Sequence, residues 1–205
     1  MSPTCRVVLA LVALSLALAA AVTWAQAAPS TAPEKDDATS FLARYDEGRI
    51  DADYAAGEAR AAGRPEAEFE AGRFGTALKL AGRTLQYPAR GNISMDRGTV
   101  EMWLMDLDYD HSSWRRGRVL FLCGGRGEGK QYYVRVMLVR NWFTFQILFF
   151  GMGGDRGITL YGDRAPLPVG QWAYCAAGWD LESGTAWLRA NDAVAKTTFK
   201  PEDLR

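Results

Sequence analysis

The sequence predicts an all-β protein, a jelly-roll β-sandwich of two antiparallel sheets. Three observations carry that prediction. Apolar and polar residues alternate with a period of two over many short stretches. Clusters of Gly, Asn, Asp and Pro separate those stretches at short spacing. Beyond the N-terminal leader, no stretch sustains the apolar stripe of an amphipathic helix.

The leader comes first. Arg6 precedes an unbroken run of small and apolar residues from Val7 to Val22, and Ala25-Gln26-Ala27 is a small-x-small cleavage site. That arrangement is expected of a secretory signal peptide over residues 1–27. The run falls short of the ~20 residues that a spanning helix requires. The expected address is therefore export (secreted, periplasmic or cell-surface), with no membrane span after cleavage. Residues 28–39 are rich in Pro, Ala, Thr and Asp and read as a flexible lead-in. Residues 40–205 read as one domain, long enough for a single well-filled core.

Within that domain a first strand is expected over residues 39–46, with Phe41, Ala43 and Tyr45 on one face. Residues 49–68 are Ala-rich but broken by Gly57, Gly63 and Pro65, which favours an ordered loop. Strands follow at 77–80 and 84–87. Over 98–104, Val100, Met102 and Leu104 share one face, while Glu101 and Trp103 share the other. Further strands are expected at 119–123, 131–140, 142–150 and 157–161. Residues 171–179 and 185–189 read as a hairpin around Asp180-Leu181-Glu182-Ser183-Gly184. Asn191-Asp192 turns the chain into a last strand over 193–199.

Charge excludes some partners. The formal net charge is zero. Residues 28–70 carry 11 acids and 5 bases, residues 71–140 carry 6 acids and 12 bases, and the basic residues of the middle lie scattered through turns. That pattern fits a solvated surface, not a nucleic-acid track. Two cysteines remain after cleavage, Cys123 and Cys175. They form either a candidate disulfide, which export permits, or a pair of small buried thiols.

The segments Phe69-Glu-Ala-Gly-Arg-Phe-Gly-Thr-Ala-Leu-Lys-Leu80, Gly98-Thr-Val-Glu-Met-Trp-Leu104 and Gly170-Gln-Trp-Ala-Tyr-Cys-Ala-Ala-Gly-Trp-Asp180 resemble, in order and spacing, the laminin-G-like domains of the concanavalin A-like lectin/glucanase superfamily, the exported bacterial members above all. The resemblance covers roughly residues 40–200 and implies two curved antiparallel sheets. Phe74 and Leu78 are expected to plug one end of the core, and Trp172 and Trp179 to supply large apolar surfaces. Domains of this kind continue for one or two further strands, the last beside the first. The chain stops at Arg205, so the resemblance implies a sandwich lacking those strands, with an open edge near Phe41.

The superfamily includes glucanases, so acid pairs matter. Retaining glycosidases place two carboxyl groups about 5 Å apart. In related enzymes they come from Glu-x-Asp-x-Glu on one strand, a pattern missing from this sequence. His111 is the only histidine and has no triad context. Asp106, Asp108 and Asp110 are the candidate calcium ligands, since acids at alternate positions present several oxygens. They do not form an EF-hand, because His111 and Gly117 occupy the positions of its Gly and Glu. No other cofactor is expected. Trp114, Tyr109 and Trp103 are the candidate ligand-binding aromatics.

The expected function is non-catalytic recognition by a secreted protein, with a glycan or cell-surface polymer as the leading ligand. The alternative is a structural or protein-interaction module engaging an extracellular protein, as a piece of a longer secreted chain. A glucanase-like hydrolase ranks third. Calcium at the three aspartates predicts a melting temperature that drops in a chelator, and an Asp108→Asn chain whose melting temperature the chelator leaves unchanged.

Overall fold

The structure is a computed structural model describing residues 29–62, 66–80, 83–105, 118–127, 130–139, 142–150, 156–162, 170–200 and 202. These residues form an all-β fold. Two short ribbons come first. Strand β1 (Phe41–Leu42) pairs with β2 (Tyr54–Ala55), and β3 (Glu68–Ala71) pairs with β4 (Thr76–Lys79), both antiparallel. Eight strands then build the sandwich: β5 (Arg97–Met105), β6 (Arg118–Gly127), β7 (Lys130–Val139), β8 (Trp142–Phe150), β9 (Arg156–Tyr161), β10 (Trp172–Asp180), β11 (Thr185–Ala190) and β12 (Ala193–Thr198).

They divide into two four-stranded antiparallel sheets. One has the order β12-β11-β10-β5, the other the order β6-β7-β8-β9. The period of two decides which side chains meet. In the first sheet, Cys175 stands opposite Met102, Ala177 opposite Val100, and Leu188 opposite Ala195. These inward residues, with Ala173, Trp179 and Ala186, join Val134, Val136, Phe145, Ile147 and Leu160 of the second sheet in one apolar cluster. The rings of Phe145 and Trp179 lie 6.1 Å apart between the two sheets.

Two glycines admit the large rings. A Cβ at Gly98 would stand 2.9 Å from Cζ2 of Trp179. A Cβ at Gly178 would stand 2.3 Å from Nε1 of Trp187, whose indole lies across the outer side of β10. The Trp179 N–H donates to the Met95 carbonyl at 3.1 Å, so the deepest indole leaves no orphan donor.

Turn chemistry closes the hairpins. Asp180 Oδ1 accepts from the Glu182 and Ser183 amides at 2.8 and 3.1 Å, and Gly184 takes a positive φ of 64°. Asn191 adopts the left-handed region at φ 50°, which asparagine tolerates best among the non-glycine residues.

The structure departs from expectation in four places. The strand expected over 39–46 shrinks to Phe41–Leu42, because Tyr45 at φ 63° and Glu47 at φ 59° turn the chain away. Its partner is β2, not a neighbour from the far end of the chain. The strand expected over 84–87 reduces to a single bridge, Ala62 to Gln86. Glu68–Ala71 form β3, where the sequence predicts no strand. Phe74 meets the Trp103 ring edge-on at 5.8 Å on the outer side of the sheet, so it does not plug the core.

Leu188 is fully buried in this cluster. Leu188→Ala is expected to cost about 2–5 kcal/mol in urea unfolding, the usual range for such a cavity. Val194→Ala, at a position 40% exposed, should stay within about 0.5 kcal/mol.

Candidate functional site

The outer face of β5 and β10 carries the best-formed polar and aromatic constellation among the described residues. Turning Val100, Met102 and Leu104 inward necessarily turns Glu101 and Trp103 outward. On β10, Tyr174 stands opposite Trp103, and Ala176 opposite Glu101. The Tyr174 hydroxyl donates to Glu101 Oε2 at 2.5 Å. The Trp103 and Tyr174 ring centroids lie 5.3 Å apart at a 50° tilt. The Arg73 guanidinium lies over Trp103 at 3.9 Å, and the Arg189 guanidinium over Tyr174 at 5.4 Å. Two cations thus flank the pair of rings, an attraction that desolvation strengthens.

The β11–β12 turn holds this arrangement in place. Asn191 Oδ1 accepts from the Tyr174 amide at 2.9 Å, and the Asn191 amide donates to the Tyr174 carbonyl at 2.8 Å. Arg189 Nε donates to the Asn191 carbonyl at 2.7 Å, aligning its guanidinium beside the ring.

Residues 29–34 run over the same face. Pro29, Thr31, Ala32, Pro33 and Glu34 form one wall of a cleft of about 230 Å³, and Glu101, Met102, Trp103 and Tyr174 form the other. Tyr174 is only 5% exposed although it points away from the core. Burial, then the hydrogen bond to Glu101 and its charge, push the Tyr174 phenol well above the usual tyrosine range. The indole N–H of half-buried Trp103 is itself buried and has no hydrogen-bond partner among the described residues. Arg73 is exposed and makes no ion pair among the described residues. The cleft is therefore walled by the Trp103 and Tyr174 rings, with an acceptor in Glu101 and the Arg73 guanidinium stacked on Trp103.

Of the residues singled out in the sequence, Trp103 lies in this cleft. Trp114 and Tyr109 lie outside the described residues, in the stretch that follows β5. So do Asp106, Asp108 and Asp110, and among the described residues no group of acids, histidines or cysteines could hold a metal. The candidate disulfide is not formed. Cys123 lies on β6 and Cys175 on β10, in different sheets, and both are buried free thiols. Burial raises both thiols above their ordinary value, Cys175 the more strongly. No helix among the described residues is long and apolar enough to cross a membrane.

Sequence reasoning missed Tyr174, Glu101, Arg73 and the wall supplied by residues 29–34. Alternation places Glu101 beside Trp103 on one strand. Nothing local aligns Tyr174 with them, because seven consecutive positions of β10 are buried and the strand shows no polar face.

Tyr174 sets a pH dependence. Its phenol, like those of Tyr45 and Tyr87, is raised in the folded chain, so the unfolded chain loses its phenolic protons first as pH rises. Stability from this source is intact below the ordinary tyrosine value of about 10 and falls above it. Unfolding free energies in urea should decline above about pH 10, and Tyr174→Phe should make the decline shallower. No family model, curated protein or solved structure matches this chain.

Proposed function

We propose that this chain is a non-catalytic recognition module of an exported protein and that it binds a glycan or cell-surface polymer at the β5–β10 cleft. The observation that carries this reading is the pairing of the Trp103 and Tyr174 rings with the Glu101 carboxylate in one recess. A sugar ring presents an apolar C–H face and a rim of hydroxyls. Aromatic rings beside a carboxylate suit both surfaces. In the cleft the Glu101 carboxylate already accepts from the Tyr174 hydroxyl, which fixes it as an acceptor for a ligand hydroxyl.

A second reading rests on a different observation. Strand β6 is an edge of its sheet, and it exposes Val119 at 50% and Leu122 at 54%. An edge with no further strand beside it among the described residues, and with exposed apolar side chains, suits a protein partner that adds a strand. On that reading the module serves assembly, and the aromatic face is scaffold.

A glycan array separates the two. The glycan reading predicts a reproducible set of hits, with Trp103→Ala weakening the best ligand by roughly tenfold or more, the loss expected for one stacking contact. An array that stays silent while Leu122→Asp abolishes capture of a purified extracellular partner would favour the assembly role.

A further inference from the structure

We infer that the cleft is covered by its own chain: residues 29–34, a tethered, proline-spaced strap, form its outer wall over β5 and β10, and a ligand that spreads across that face must displace them. The first observation is the pattern of burial along this strap. Pro29, Ala32 and Pro33 are half-buried, while Ser30, Thr31 and Glu34 are exposed. Pro29 and Ala32 are three residues apart, the repeat by which an extended proline-bearing chain presents one edge. Aromatic grooves accept such segments because proline loses little conformational freedom on docking.

The second observation is how the strap is fastened. Its C-terminal root is firm. Lys35 Nζ lies 4.6 Å over the Tyr54 ring. Asp36 and Thr39 close a small loop through the Thr39 hydroxyl to Asp36 Oδ1 at 2.5 Å and the Asp36 amide to Thr39 Oγ1 at 3.0 Å. The Ser40 hydroxyl then donates to the Asn92 carbonyl at 2.6 Å. The docked part differs. No side-chain hydrogen bond or ion pair joins residues 29–34 to Glu101, Trp103 or Tyr174 among the described residues. Among the described residues the strap is fastened at its Lys35–Ser40 root, and no such bond fastens residues 29–34 to the face beneath.

The third observation is the gap that remains under the strap: about 230 Å³ lies between it and Glu101, Met102, Trp103 and Tyr174, so the strap is not close-packed on the face it covers. The docking of the strap stands without the glycan proposal. What it gates rests on that proposal.

The test compares the full chain with one beginning at Lys35, using a synthetic peptide of residues 28–38 and the best glycan from the array. Calorimetry should show the peptide binding the shortened chain one to one, and Trp103→Ala should abolish that binding. The full chain should bind the same peptide at least about tenfold more weakly, because a tethered occupant competes at an effective concentration in the millimolar range. The glycan should gain a similar factor on the shortened chain. Peptide that binds neither chain, or both equally, overturns the inference. A concentration-dependent dimer of the full chain that disappears on shortening also overturns it, since the strap would then serve a second copy. Peptide binding as expected with no glycan response leaves the strap standing and removes the glycan proposal. If the shortened chain fails to fold, the full-length Pro29→Gly/Pro33→Gly chain replaces it. There the added peptide should bind about tenfold better than to the parent, and equal binding overturns the inference.

Discussion

Burial of β10 on both faces is the constraint from which the rest of the structure follows. All seven central positions, Ala173 to Gly178 and Trp179, are buried. On the inner side, Cys175 and Ala177 are small enough to let Phe145 and Trp179 meet between the sheets. On the outer side, Ala176 and Gly178 leave room for Arg189 and Trp187 to lie across the strand. Small residues at the strand's centre thus permit large ones from its neighbours on either side. Close packing of this kind leaves little tolerance for an added methyl group.

The same constraint creates the site. Tyr174 is the one large polar side chain on the buried stretch, and it faces outward. Its hydroxyl needs a partner once buried, and Glu101 supplies one from the adjacent strand. Arg189 and Asn191 then fix the ring from the opposite side. Desolvation keeps the phenol neutral and donating, so the Glu101 carboxylate retains free acceptor capacity toward the cleft. A surface that began as the solvent side of a sheet becomes a recess because residues 29–34 cover it.

Much of the fold was legible in the sequence because period-two patterning survives wherever one sheet face is solvated. The alternation of Val100, Met102 and Leu104 against Glu101 and Trp103 assigned β5 correctly, and the Asp180 and Asn191 turns placed β10, β11 and β12 within a residue or two. The ribbons were less legible. A two-residue strand at Phe41–Leu42 carries no periodic signal, and the left-handed backbone at Tyr45 and Glu47 has no sequence mark such as glycine or asparagine. Of the site, Trp103 could be named from the sequence, but not what surrounds it. The Tyr174–Glu101 bond spans 73 positions and depends on the register between β5 and β10, which only the folded sheet defines. A Pro/Ala/Thr lead-in looks flexible by composition, and its docking depends on apolar surface presented by strands far along the chain.

Radical oxidation of the native chain, read residue by residue by mass spectrometry, tests the two-sided burial of β10 most directly. Tyr161 is 61% exposed and serves as the internal reference, while Tyr174 is 5% exposed despite facing away from the core. Slow oxidation of Tyr174 beside rapid oxidation of Tyr161 is the expected result. Equal rates for the two tyrosines in the folded chain would mean that the outer face of β10 is bare, and the covered aromatic recess would not exist.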